Sequence, residues 1–119
     1  DWAKKKGIYV RLHSCGNINT LLPEIMTVGF DALHPMEVKA GMDPVQVKKE
    51  YGDRLVLHGG FNAMLWHDKE AILAEIRRLL PILMENGGYI FAADHSIPND
   101  VPFENMKAII ALVKDIGRF

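Results

Sequence analysis

Four times along this 119-residue chain a short apolar segment runs into histidine, glycine or another polar residue, and a segment of helical periodicity follows. The apolar segments are residues 8–13, 30–36, 54–58 and 89–93. Strand–helix units repeating roughly every 25–35 residues predict a parallel sheet, because parallel neighbours need a crossover long enough to carry a helix. The order reads (α)βαβαβαβα. No linker or low-complexity segment divides it, so one partial domain over residues 1–119 is expected. A sheet of this kind normally has more than four strands, and the chain begins at Asp1 without Met, in what looks like the end of a helix (residues 1–6, stopped by Gly7). The expectation is therefore an incomplete chain.

The helices carry local signals. Asn17 or Asn19 can cap a helix whose stripe is Leu21, Leu22, Ile25 and Met26 and which Gly29 ends. Pro23 inside it predicts a short first turn and a restart. Asp43, Pro44 and Gln46 form a helix start, cap then proline then glutamine, and that helix closes at Tyr51 and Gly52. The longest helix is expected over 68–85, with Ile72, Leu73, Ile76, Leu79, Leu80 and Leu83 on one face and Pro81 kinking it or ending its regular part. Pro102 opens the last helix, with stripe Met106, Ile109, Ile110, Val113 and Ile116.

Composition excludes several classes of function. The net charge of −1 leaves no basic footprint for nucleic acid or for a membrane surface. No apolar run approaches ~20 residues, so no transmembrane helix is expected, and no signal peptide is seen. The single cysteine rules out an internal disulfide framework and fits a reducing, cytoplasmic setting. Apolar residues make up 49% of the chain, enough for a core.

The chemistry-bearing residues fall at strand ends: His13 and Cys15, then His34 and Glu37, then His58, Gly59, Gly60 and Asn62, then Asp94 and His95. In parallel α/β folds, sites gather where strands end. Alternation along residues 8–15 puts Ile8, Val10 and Leu12 on one face and Tyr9, Arg11, His13 and Cys15 on the other. His13 and Cys15 pair an imidazole nitrogen with a thiol sulfur, the ligand types zinc prefers, ahead of a tight turn at Gly16. Each residue also has a plainer reading. Cys15 can be a small buried hydrophobe, His34 a satisfied core histidine, His58 a structural residue and Asp94 a turn cap. Trp66 reads as packing, and Lys69, Glu70, Glu75, Arg77 and Arg78 as a solvated helix face.

The segments RLHSCGN, VGFDALHPME, YGDRLVLHGGFN and GGYIFAADHSIPNDVPFENMKAII, in this order, resemble the C-terminal half of the uroporphyrinogen decarboxylase superfamily. The resemblance covers nearly the whole chain. It implies the second half of a TIM-type (β/α)8 barrel. One branch of the superfamily removes the acetate carboxyls of uroporphyrinogen without metal or cofactor. The other includes cobamide-dependent methyltransferases that use zinc to activate a thiol as methyl acceptor. Its zinc ligands resemble a His-x-Cys after one strand and a Cys after the last. His13 and Cys15 match the first part, while His95 stands where those methyltransferases carry Cys and where the decarboxylases have a substrate-contacting histidine. Asn62 replaces an Asp common in that loop.

The resemblance thus implies His13, Cys15 and His95 as a zinc set, with Glu37, His58, Asn62 and His95 as residues toward the substrate. Glu37 could orient a ligand or add a fourth donor. The implied reaction is methyl transfer from a corrinoid to a thiol, and the alternative is porphyrinogen decarboxylation on a tetrapyrrole. A non-enzymatic reading is a catalytically incompetent fragment that self-associates or pairs with a missing N-terminal half-barrel, since four parallel strands leave two open edges. The expectation is a homo-oligomer.

Overall fold

The structure is a computed structural model and describes residues 2–118. A short helix α1 (Trp2–Lys5) leads to β1 (Arg11–His13), α2 (Leu22–Val28), β2 (Ala32–His34), α3 (Pro44–Tyr51), β3 (Val56–His58), α4 (Lys69–Met84), β4 (Tyr89–Ile90) and α5 (Phe103–Ile116). The strands form one parallel sheet in the order β1-β2-β3-β4. Four parallel strands alternating with helices agree with part of a (β/α)8 barrel.

The first three strands read Arg-Leu-His, Ala-Leu-His and Val-Leu-His. The ladder register aligns them: Leu12 faces Leu33, Leu33 faces Leu57 and Leu57 faces Tyr89. Those side chains lie on the helix side, where Leu33 and Leu57 are fully buried in one cluster with Ile72, Ile76 and Leu83 of α4 and Ile109 of α5. The alternate residues lie on the other side. His13 faces His34, His58 faces Ile90, and Ala32 faces Val56, which sets His34 level with His58. That side is open: Arg11 and His13 are exposed and His34 and His58 half-buried.

The capping signal at Asp43 acts as read, and a second cap forms at Asp68. Asp43 accepts the amides of Val45 and Gln46 at α3, and Asp68 accepts the amide of Ala71 at α4. A 3-10 turn over Asn19–Leu21 precedes α2, with Pro23 in its first turn. Asn17 instead closes a local turn onto the amide of Asn19.

Several expectations need correction. The strands are shorter than their apolar segments. Pro35 has no amide with which to extend the ladder, and Met36 then takes φ 58°. At β1 the amide of Val10 is capped by the Asp31 carboxylate rather than paired. Beyond β4 only an isolated bridge, Phe61 with Ala93, continues the pairing. α4 covers Lys69–Met84, within one residue of the expected bounds, and Pro81 lies inside it. Pro81 is exposed, as is Arg77, so the carbonyl it leaves without an amide partner is on the solvent side. Ile110 is exposed, and Leu112 packs against the core in its place. Leu21 is likewise exposed.

Among the described residues, no helix is long and apolar enough to cross a membrane.

Candidate functional site

The open side of the sheet carries a row of imidazoles. The His13 and His34 ring centroids are 4.8 Å apart and those of His34 and His58 are 4.5 Å apart. His13 Nδ1 lies 2.8 Å from His34 Nδ1. Arg11 Nη1 lies 2.7 Å from His58 Nδ1. A guanidinium has only donors, so His58 Nδ1 accepts and its proton sits on Nε2. Burial first, then the charges of His58, His13 and Arg11, push the His34 imidazole down to about 4, well below the usual histidine range. Burial and then Arg11 lower His58 as well. Both rings are neutral near pH 7.

At the end of β1, Cys15 Sγ lies 3.4 Å from His13 Nε2, and Cys15 is exposed. This tests the fit of a metal. A zinc ion bound to one thiolate at about 2.3 Å and one imidazole at about 2.0 Å in tetrahedral geometry spaces those two ligand atoms by about 3.5 Å. His13 and Cys15 fit as a chelating pair. No third His, Cys, Asp or Glu converges with them into a metal-holding cluster among the described residues. His95 is exposed on the loop after β4, close enough to Glu37 for its charge to act on that carboxylate.

Two buried carboxylates fix the rim. Glu37 accepts the Gly16 amide at 2.7 Å and pairs with Lys39 at 3.4 Å. The Gly16 bond is the main force holding its carboxyl below the usual range. It thereby ties the loop after β2 to the His-Ser-Cys-Gly turn. Asp94, 1% exposed, accepts the Val38 amide at 2.8 Å and the Ala63 amide at 2.7 Å, while its own amide bonds the Phe61 carbonyl. It laces the loop after β4 to those after β2 and β3, which goes beyond capping a turn. The aspartate at a strand end is visible in the sequence, but its partners are 31 and 56 residues away.

Asn62 turns its side chain onto the Met64 amide and gives its own amide to Glu75. Glu75 is therefore not part of a solvated face. It is half-buried, and burial raises its carboxyl above the usual range. Gly59 and Gly60 have φ of 103° and 89°, and a Cβ on Gly59 would meet the Pro35 carbonyl oxygen at 2.5 Å. Trp66 is buried, as packing requires. Two cavities of about 410 and 470 Å³ are lined by residues of α3 and α4, away from the histidine row.

The comparisons with known proteins agree with this architecture. The family model described as uroporphyrinogen decarboxylase (URO-D) matches residues 2–116. A uroporphyrinogen decarboxylase of Helicobacter pylori (strain P12) is 38% identical over 90 residues, 76% of this chain and 24% of that protein. The methylcobamide:CoM methyltransferase MtaA of Methanosarcina barkeri is 33% identical over 103 residues, 84% of this chain and 29% of that protein. A uroporphyrinogen decarboxylase of Pelodictyon phaeoclathratiforme is 31% identical over 101 residues, 82% of this chain and 28% of that protein. The chain belongs to the uroporphyrinogen decarboxylase family. It spans about a quarter of the length of these curated relatives.

Proposed function

We propose that this chain supplies the four C-terminal strand–helix units of a (β/α)8 enzyme that transfers a methyl group from a corrinoid to a small thiol, with His13 and Cys15 holding zinc. The observation that carries the reading is the 3.4 Å approach of Cys15 Sγ to His13 Nε2 on an exposed rim. The similarity to a methylcobamide:CoM methyltransferase over 84% of the chain supports the reaction class. Zinc, when bound, lowers the pKa of a thiol ligand so that the thiolate is present near neutral pH.

The chain's own residues do the rest. Cys15 offers one sulfur donor and His13 one nitrogen donor, and His95, exposed on the neighbouring loop, would have to move toward this pair to give a third. Glu37 holds the amide of Gly16 and so keeps the Cys15 turn in place. Asp94 locks the loops that carry Glu37, Asn62 and His95. His58, held by Arg11, lies on the open face on which a flat corrinoid or tetrapyrrole would rest.

A second reading, removal of acetate carboxyls from a porphyrinogen, is favoured by the relatives named uroporphyrinogen decarboxylase and by Arg11, an exposed cation on the open face suited to a carboxylate. His95 would then position substrate, and no metal would be needed.

Assays of the chain, alone and completed by the rest of the barrel, separate the readings. Methyl loss from methylcobalamin that depends on added thiol and on Cys15 supports the first. Decarboxylation of uroporphyrinogen that survives Cys15→Ser supports the second. We further propose that the isolated chain self-associates through the open edges of β1 and β4; a monodisperse monomer by light scattering would contradict this.

A further inference from the structure

We propose that His34 is a positioning residue for His13: its Nδ1 accepts the His13 Nδ1–H and so leaves the His13 Nε2 lone pair free beside Cys15. The proposal rests on the metal-holding reading, because ligation through Nε2 requires that tautomer. A neutral imidazole has one donor nitrogen and one acceptor. If Nε2 is to bind a metal, the proton sits on Nδ1 and needs a partner, and such partners orient the ligand and raise its basicity. The structure offers that partner at 2.8 Å, in His34 Nδ1.

The geometry also shows why His34 can hold this place. His13 and His34 are direct register partners on adjacent parallel strands. Each follows a leucine on the helix side, and Leu33 is fully buried, so the backbone beneath His34 is anchored. The His34 ring packs against His58 on its far side at 4.5 Å. His58 is in turn held by Arg11 at 2.7 Å. Arg11 and His13 both belong to β1, so the contacts form a closed circuit from β1 through β3 and β2 back to β1. In this circuit Arg11 fixes the His58 tautomer, His58 buttresses His34, and His34 presents one lone pair to His13. None of these residues needs to touch the substrate for the circuit to act.

The test reads the tautomer directly. Long-range proton–nitrogen correlation spectra of the metal-free chain, labelled at histidine and recorded near neutral pH, assign the protonated nitrogen of His13. The expected result is a protonated Nδ1 and a bare Nε2 in the wild type. His34→Leu should return the proton to Nε2, whereas His34→Asn, whose Oδ1 can stand in for the acceptor, should keep it on Nδ1. Titration with Zn²⁺ alone, against a chromophoric chelator, should show affinity weakened by about 10–100-fold in His34→Leu and largely retained in His34→Asn.

A wild-type His13 carrying its proton on Nε2 overturns the proposal, whether or not the variants fold. So does a tautomer that ignores His34→Leu. Absence of zinc affinity in the wild type overturns the metal reading instead, and the tautomer spectra then decide the role of His34 on their own.

Discussion

The two faces of the sheet differ although they are built from neighbouring residues of the same strands. On the helix side Leu12, Leu33, Leu57 and Tyr89 stand in line, and Leu33 and Leu57 are fully buried. One residue further along each of the first three strands, His13, His34 and His58 stand in line on the open side. The two-residue period of a strand makes this division sharp, since a slip of one position would exchange the faces. The leucines determine where the backbone lies, and the histidines inherit that placement. A site built this way is positioned by apolar packing and can vary in chemistry without disturbing the core.

The comparison predicts unequal costs for adjacent substitutions. Leu57→Ala should lose about 2–5 kcal/mol of stability, as deletion of a fully buried leucine side chain does. His58→Ala, next to it, should cost about 1 kcal/mol or less, in the range of residues outside the core. Denaturant unfolding of both variants measures the difference, and a His58→Ala that costs more than Leu57→Ala would break the division of labour. The rim gives the next largest effect. Asp94→Asn turns an amide donor toward backbone N–H groups that now have a carboxylate, so it should cost about 1–3 kcal/mol. A neutral result would mean that Asp94 does not hold the loops.

A further effect is a pH dependence centred on the histidine face. Unfolded histidine titrates near 6.5, whereas folded His34 titrates at about 4. Between these values the unfolded chain binds more protons than the folded one, so stability rises with pH through that window and levels off above it. His58 acts in the same direction. The raised carboxyl of Glu75 has the opposite sign, and the lowered Glu37 adds stability that is lost at more acid pH. The clean measurement is therefore a difference. His34→Asn should flatten the stability profile between pH 6.5 and 4 relative to wild type, and parallel profiles would contradict the assignment of His34 as a neutral, half-buried base.

How much of this could be read from the chain alone divides along the same lines. The alternating units, the cap at Asp43 and the α4 stripe are local patterns, and they were legible because a helix or a turn is determined by residues a few positions apart. His13 and Cys15 were legible as a pair because a strand places residues i and i+2 on one side. The partners of His13 and His58 were not, because they depend on register between strands. Glu75 looked solvated because its partner, the Asn62 amide, comes from a loop. Asp94 looked like a turn cap because its two amides lie in other loops. Ile110 falls outside the buried stripe because the helical period alone does not say where a stripe ends when only part of a helix is covered.

The most direct test of the central claim is the metal content of protein purified without chelator, measured by elemental analysis beside a Cys15→Ser variant. The account predicts about one zinc per chain, as one structural pair holds one ion, and its loss in the variant. A folded sample that carries no zinc and takes up none on addition would contradict it and leave His13 and Cys15 without a metal-binding role.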